Sequence, residues 1–190
     1  MLNKAIELSN LWEQVCLGNE KAYSSLHYQL YPGLFVYAKN ITKDEDVTHD
    51  LVQELFIKLW TKKAIIGQIA NVKAYFYRAT RSIVINHLRS IKNQESKLNS
   101  MVSVDIQFSA EDIITTEETS LELKRSIEGA LNKLPSRQRE IIYLRFYEDM
   151  DYTQIVAVTG IKYQSVVNHV YRAVQVMRDS LTATGKLTAA

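Results

Sequence analysis

Apolar residues recur along the chain at intervals of three and four from near its start, the spacing of one face of an α-helix. Between Lys4 and Leu17 this register holds Ile6, Leu8, Leu11, Trp12, Val15 and Cys16, and Gly18 follows as a natural stop. A second helix is predicted from about Glu20 to Asn40, burying Tyr23, Leu26, Tyr31, Leu34, Phe35 and Ala38, with Pro32 and Gly33 as a kink or local break. The third opens on Asp44, Glu45 and Asp46, negative charges where the helix dipole favours them, ahead of Val47, Leu51, Val52, Leu55, Phe56 and Leu59, and should end near Trp60 to Lys63. A fourth, roughly Val72 to Lys92, sets Val72, Phe76, Ala79, Ile83, Val84, Leu88 and Ile91 on one side and leaves Arg78, Arg81, Ser82, Asn86, Arg89 and Lys92 largely on the other.

Periodicity weakens from Asn93 to about Thr119, where Ser, Thr, Asn, Asp and Glu surround isolated Met101, Val104, Ile106 and Phe108; this reads as a linker with room for a short docking segment. Beyond it an amphipathic helix spans Leu121 to Leu134 and stops at Pro135. Ser136 can cap a helix through about Tyr147, Tyr152 to Val158 makes a short one, and Tyr163 to Leu181 a longer one. Strand-like alternation is nowhere sustained, and 190 residues contain 6 Gly and 2 Pro. The expected class is all-α: two small helical domains, residues 1–92 and 121–182, joined by an acidic linker over 93–120 and followed by a tail over 183–190.

Composition excludes disorder and collagen, and no apolar run approaches the roughly 20 residues that span a bilayer. With no basic-then-apolar signal pattern and a single cysteine, Cys16, the expected setting is the cytoplasm. The net charge of +2 hides an asymmetry. Residues 1–92 carry 12 basic and 8 acidic side chains, residues 93–120 carry 1 and 6, and residues 121–190 carry 10 and 7. Between Lys62 and Lys92 there are seven cations and no acid, a candidate surface for a polyanion.

The segment from Asp151 to Arg172 fits a helix-turn-helix. Ile155, Val156 and Val158 lead to Gly160, which permits a tight corner, and Ile161 can plug the angle between the helices. The second helix is expected to bury Val166, Val170, Val174 and Met177, with Val167 and Ala173 at its margins. Gln164, Ser165, Asn168, His169 and Arg172 then project where a recognition helix meets base edges and phosphates. Arg137, Arg139 and Arg145 are further phosphate candidates. Taken alone, this segment fits a plain helical hairpin as well as it fits a DNA reader.

Two ordered stretches carry a resemblance. The run Asp50-Leu-Val-Gln-Glu-Leu-Phe-Ile-Lys-Leu-Trp60, followed by Val72-Lys-Ala-Tyr-Phe-Tyr-Arg-Ala-Thr-Arg-Ser-Ile-Val-Ile-Asn-His-Leu-Arg89, resembles domain two of bacterial sigma factors. Leu134-Pro-Ser-Arg-Gln-Arg-Glu-Ile-Ile-Tyr-Leu-Arg145 and the helix-turn-helix after it resemble domain four, and the compact order matches the extracytoplasmic-function (ECF) group. The resemblance implies a sigma factor that binds core RNA polymerase and directs promoter-specific transcription initiation without catalysis or cofactor of its own. It implies docking of Asp50, Gln53, Glu54, Phe56 and Trp60 on the clamp of the largest polymerase subunit. Lys73, Tyr77, Arg78, Arg81, Asn86 and Arg89 are implied at the minus-ten element, with a base pocket in the loop 64–70. Tyr75 and Tyr77 cannot face the same way on a helix, so one of them should be core. Arg145, Gln164, Ser165, Asn168, His169 and Arg172 are implied at the minus-thirty-five element, while other faces of that domain meet the flap of the second-largest subunit. An anti-sigma factor is the implied regulator, without direct membrane insertion of this chain. Ser82, Gln154 and Val167 depart from the common Asn, Glu and Lys of the family pattern.

Enzymatic readings have little support in the residues. His27, His49, His87 and His169 lie on separate predicted helices in no metal-ligand spacing, and no phosphate-binding glycine loop or nucleophile elbow occurs. The runner-up is a stand-alone helix-turn-helix regulator that grips an inverted repeat as a dimer; a third class is a helical adaptor with no DNA role.

Overall fold

The computed structural model describes residues 2–95, 104–109 and 121–183. The chain forms two compact units, one of Met1–Val102 with Ala157–Gly160, the other of Ser103–Val156 with Ile161–Ala190. In the first, helices α1 (Leu2–Cys16), α2 (Glu20–Thr42), α3 (Glu45–Ile66) and α4 (Val72–Glu95) each touch the other three. Short polar side chains start three of them. Asn19 accepts from the Lys21 and Ala22 amides, Asp44 from that of Val47, and Asn71 from that of Ala74, filling acceptor positions that a helix start lacks.

Two expectations about these helices need correction. α2 runs unbroken through Pro32. The hydrogen bond lost there is outweighed by a buried seam on both sides of it, Leu26 and Leu30 before and Leu34 and Ala38 after. α3 continues past Lys63 to Ile66, because the first residue suited to end it is Gly67, at φ 64°, whose amide bonds the Lys63 carbonyl. The core joins Trp12 from α1 and Phe76 from α4 edge to face at 5.9 Å, with Tyr37 and Tyr77 packed at 5.4 Å. Buried Thr48 and Thr80 donate to the carbonyls of Asp44 and Phe76, so neither hydroxyl is left bare.

The second unit contains α5 (Leu121–Asn132), α6 (Ser136–Ile142), the first part of α7 (Tyr152–Thr159) and α8 (Tyr163–Ala183), with a wider π-helical turn over Tyr143–Tyr147 directly after α6. Ser136 lies inside the first turn of α6, and the residue that precedes the helix is Pro135, without a side-chain cap. α7 starts on a reciprocal pair: Asp151 accepts from the Gln154 amide at 2.8 Å, and Gln154 accepts from the Asp151 amide at 2.9 Å. The glutamine at this departure from the family pattern therefore performs the capping task of a glutamate. Gly160, at φ 71°, turns the corner into α8.

The buried seam of α8 is Val166, Val170, Ala173 and Leu181; Val174, expected inside, is 44% exposed. Repeated four-residue steps drift by about 40° each, and the three-residue step to Ala173 cancels that drift and keeps the seam against α5 and α6. Part of the expected linker is an extended strip. Val104, Ile106 and Phe108 are buried while Asp105 and Gln107 are exposed. The Asn132 side chain accepts from the Phe108 amide at 2.9 Å and donates to its carbonyl at 2.8 Å, and Asp105 pairs with Arg139. The remaining linker positions and the tail over 184–190 lie outside the described residues.

Gly129 and Gly160 should respond oppositely to a methyl group. Gly129 sits in α5 with open space around its Cα and an ordinary φ, whereas Gly160 is left-handed. Urea unfolding is expected to show G129A stabilised by about 0.5–1 kcal/mol and G160A destabilised by about 1–2 kcal/mol.

Candidate nucleic-acid interface

On α4 a helical repeat of 3.6 residues places Tyr75, Arg78, Ser82, Asn86 and Arg89 within one stripe about 80° wide. Arg78, Ser82, Asn86 and Arg89 are exposed and Tyr75 half-buried, while Phe76, Thr80 and Val84 on the opposite side are fully buried. Core packing thus aims two guanidinium groups, an amide and a phenol outward together. Lys73 and Arg81 fall outside the stripe. Lys73 is half-buried with its Nζ over the Tyr77 ring, 5.6 Å from the centroid. Tyr77, expected at nucleic acid, is 1% exposed and packs on Tyr37, so the surface tyrosine of the pair is Tyr75. Leading into this helix, the loop after α3 is held from α1: Trp12 Nε1 donates to the Gly67 carbonyl at 2.8 Å. Ile65 beside it is 87% exposed.

α3 presents a different chemistry. Asp50, Gln53 and Glu54 are exposed on its outer side, Glu54 pairing with Lys58 one turn on. Phe56 is buried against Tyr23, His27, Tyr31 and Phe76, which makes it the floor of this surface and not a contact on it. Trp60 is half-buried, covered on one side by Tyr23 at 4.8 Å and on another by the Lys63 ammonium at 3.5 Å. Next to it α2 carries a ladder at four-residue spacing: Tyr23, His27, Tyr31 and Phe35, all half-buried, with His27 stacked on Tyr31 at 4.9 Å and exposed His49 of α3 edge-on to both Tyr31 and Phe35. The sequence pattern assigns Tyr23, Tyr31 and Phe35 to a buried face. Leu26, Leu30, Leu34 and Ala38 of the same helix recur at the same spacing and are buried, so spacing alone does not separate the rim from the seam.

In the second unit, Gln164, Asn168 and Arg172 project from α8 opposite its buried seam, while Ser165 and His169 stand at the margin. The Gln164 amide donates to the Asn168 side-chain carbonyl at 3.3 Å, so the two are already aligned. Exposed Tyr171 adds a ring to this face that sequence reasoning passed over. Arg145 points elsewhere. Its guanidinium donates to the Met150 carbonyl at 3.0 Å and lies against Tyr152, closing the wide turn that leads into α7. Arg139 is likewise engaged, by the Asn132 carbonyl at 2.7 Å and by Asp105.

Burial lowers the pKa of His27, because the apolar rings around it disfavour the imidazolium. His169 is lowered by burial first and then by the charges of Arg137 and Arg172. Burial raises the Cys16 thiol, partly opposed by Lys63, so this lone cysteine is a poor nucleophile.

Each of the two helical units turns a stripe of cationic and amide side chains outward from a packed seam. Comparison with known proteins names the class. Residues 26–94 match the family model Sigma-70 region 2, and residues 124–177 match Sigma-70, region 4. RNA polymerase sigma factor SigV of Bacillus subtilis is 29% identical over 148 residues, 78% of this chain and 81% of that protein. ECF RNA polymerase sigma factor SigL of Mycobacterium tuberculosis is 27% identical over 154 residues, 80% and 84% of the two chains. Among solved structures, the sigma factor RpoE in complex with the anti-sigma factor NepR from Bartonella quintana aligns with a TM-score of 0.61 at 24% identity, covering 85% of this chain and 98% of that one. CnrH in complex with the cytosolic domain of CnrY aligns with a TM-score of 0.63 at 20% identity, covering 93% and 98%. The chain belongs to the sigma-70 family, in its ECF group, and acts as a sigma factor that directs promoter-specific transcription initiation by RNA polymerase. No helix among the described residues is long and apolar enough to cross a membrane.

The lowered His27 pKa gives a signed expectation. The unfolded chain, with a histidine near 6.5, binds more protons than the folded one just below that pH. Stability from this group is therefore complete above 6.5 and is lost as pH falls through that value towards the folded pKa. Denaturant melts at about pH 7.5 and about pH 5 should show wild type weakened at the lower pH, and H27F, which retains an aromatic ring, weakened less.

Proposed function

We propose a division of labour within this sigma factor, carried by one observation: the exposed stripe on α4 holds Arg78, Asn86 and Arg89 with no acidic side chain between Lys62 and Lys92. That stripe, with Tyr75 as the stacking ring, holds the displaced strand of the minus-ten element. Opening the duplex costs pairing and stacking energy, which backbone neutralisation and base stacking offset. Ile65 and the loop pinned by Trp12 stand at one end of the stripe's helix, where an extruded base can be taken up. Lys73 and Arg81 contribute to the surrounding positive field.

The outer side of α3, Asp50, Gln53 and Glu54 with the rim of Trp60, docks on the clamp of the largest polymerase subunit, and the half-buried aromatic ladder of α2 extends that surface. Gln164, Ser165, Asn168, His169 and Arg172 read the minus-thirty-five element as a duplex. Other faces of the second unit meet the flap of the second-largest subunit. Tethering two weak readers to one polymerase makes the second contact effectively intramolecular, so neither needs high affinity alone. Catalysis is left to the polymerase, and the protein works in the cytoplasm. The two solved neighbours were captured with an anti-sigma factor and with a cytosolic domain respectively; this chain likewise has an anti-sigma partner, which covers its α2–α3 surface and holds it inactive.

Run-off transcription with core polymerase tests the reading. R78A/R89A is expected to lower promoter-dependent product about tenfold or more, at roughly 1.5 kcal/mol or more for the lost charge-assisted contacts, while still co-eluting with core polymerase. Unchanged product would contradict the role of the stripe.

A further inference from the structure

Part of the chain between the two units is bound to one of them. Residues 104–108 lie extended on the second unit, with Val104, Ile106 and Phe108 buried and Asp105 and Gln107 exposed. Asn132, at the end of α5, organises the seat. Its side chain accepts from the Phe108 amide at 2.9 Å and donates to the Phe108 carbonyl at 2.8 Å, the paired bonds that a neighbouring strand would make, while its own main-chain carbonyl accepts from Arg139 at 2.7 Å. Arg139 in turn pairs with Asp105. The Phe108 ring lies against Tyr147 at 5.3 Å and Tyr143 at 6.3 Å, two rings of the wide turn that stack on each other at 5.4 Å. Alternate apolar side chains, an acid facing a cation and a main chain read by an amide are how a groove recognises an extended peptide, and here the peptide is the chain's own. The strip falls between the segments that match the family models, residues 26–94 and 124–177, so neither match accounts for it.

We propose that this strip is a detachable latch: seated in the Asn132 groove it shortens the tether between the two DNA-reading units and opposes their simultaneous engagement of a promoter, and released it lets them span one. The proposal rests on the assignment of the minus-ten and minus-thirty-five elements to the two units. With the strip seated, residues 96–103 are the whole connection between α4 and the strip, and those eight residues reach ~30 Å at full extension. With it released the connection is residues 96–120, which reach ~85 Å. The two elements are about 25 base pairs apart, ~85 Å along a straight duplex. Units of this size have radii of ~15 Å, so the short tether leaves roughly a third of that distance unbridged and the long one has chain to spare. Seating is also close to balanced. Burial of three apolar side chains and two main-chain hydrogen bonds favour it, ordering of the strip opposes it, and the opposing effects are of similar size. Such a contact yields to a competing interaction, which a polymerase holding both units on DNA supplies.

The test uses the full chain, alone and in holoenzyme on a promoter from which wild type initiates. Hydrogen exchange in the free chain is expected to show the Phe108 amide slowed about two- to fivefold relative to N132A, and to show that protection lost in the wild-type open complex. Run-off transcription at limiting chain is expected to give more product from N132A and from F108S by the same factor, about two- to fivefold, because both report one equilibrium. N132A alters the groove and F108S the strip, and neither residue faces DNA in the reading above. Should either variant fold poorly, exchange in wild type still decides. Protection of Phe108 that persists in the open complex, or product unchanged or reduced in both folded variants, overturns the latch and makes the strip a fixed part of the second unit. Equal wild-type product from promoters with and without the minus-thirty-five element would instead overturn the two-element reading, and the latch with it.

Discussion

Everything in this molecule depends on helices that must serve a core and a ligand at once. A helix closes a turn in 3.6 residues, so burying one stripe dictates what the opposite stripe presents. On α4, burial of Phe76, Thr80 and Val84 forces Arg78, Asn86 and Arg89 outward together. On α8, burial of Val166, Val170 and Ala173 does the same for Gln164, Asn168 and Arg172. Each exposed stripe is the far side of a packed seam, and in the first unit the loop pinned by Trp12 leads into its helix. Rigid elements also hold such side chains better than mobile ones, which limits the ordering entropy of binding.

The polar groups inside the units are organised for the same end. Trp12 uses its one donor on the Gly67 carbonyl and so joins the core of the first unit to the loop before α4. Arg145 closes the wide turn ahead of α7, and Gln154 caps that helix, so the entry to the helix-turn-helix is set by hydrogen bonds and not by apolar packing alone. The aromatic ladder of Tyr23, His27, Tyr31 and Phe35 is intermediate in character. Tyr23, His27 and Tyr31 pack on Phe56, and Phe35 on Tyr31, yet all four rings stay only half-buried, a composition common at sites where a partner completes the burial.

Much of this architecture was legible in the pattern of residues. Helix existence and type follow from apolar spacing, and helix starts follow from Asn19, Asp44 and Asp151, whose side chains do the capping that their chemistry suits. The boundaries that were misread have local causes. Pro32 looks like a breaker until the seam around it is seen, and α3 ends where Gly67 permits. Side-chain roles were harder to read. Tyr75 and Tyr77 are chemically identical, and only the angular position of the helix against α2 decides which is core. Arg137, Arg139 and Arg145 are likewise one residue type within nine positions; a buried glutamate, an asparagine carbonyl and a methionine carbonyl separate their tasks, and none of these partners can be paired without the fold. Val104, Ile106 and Phe108 alternate in a run too short and too polar around them to announce the strip that Asn132 holds.

The central claim is that two helical units place one polymerase on two separated DNA segments. Footprinting on a single promoter, with permanganate to mark unpaired thymines, tests it most directly. The account predicts that chain and core polymerase together protect two separated segments and expose reactive thymines only in the one nearer the start site, and that the chain alone protects neither. Protection of an inverted repeat by the chain without polymerase, with no open thymines when polymerase is added, would contradict it.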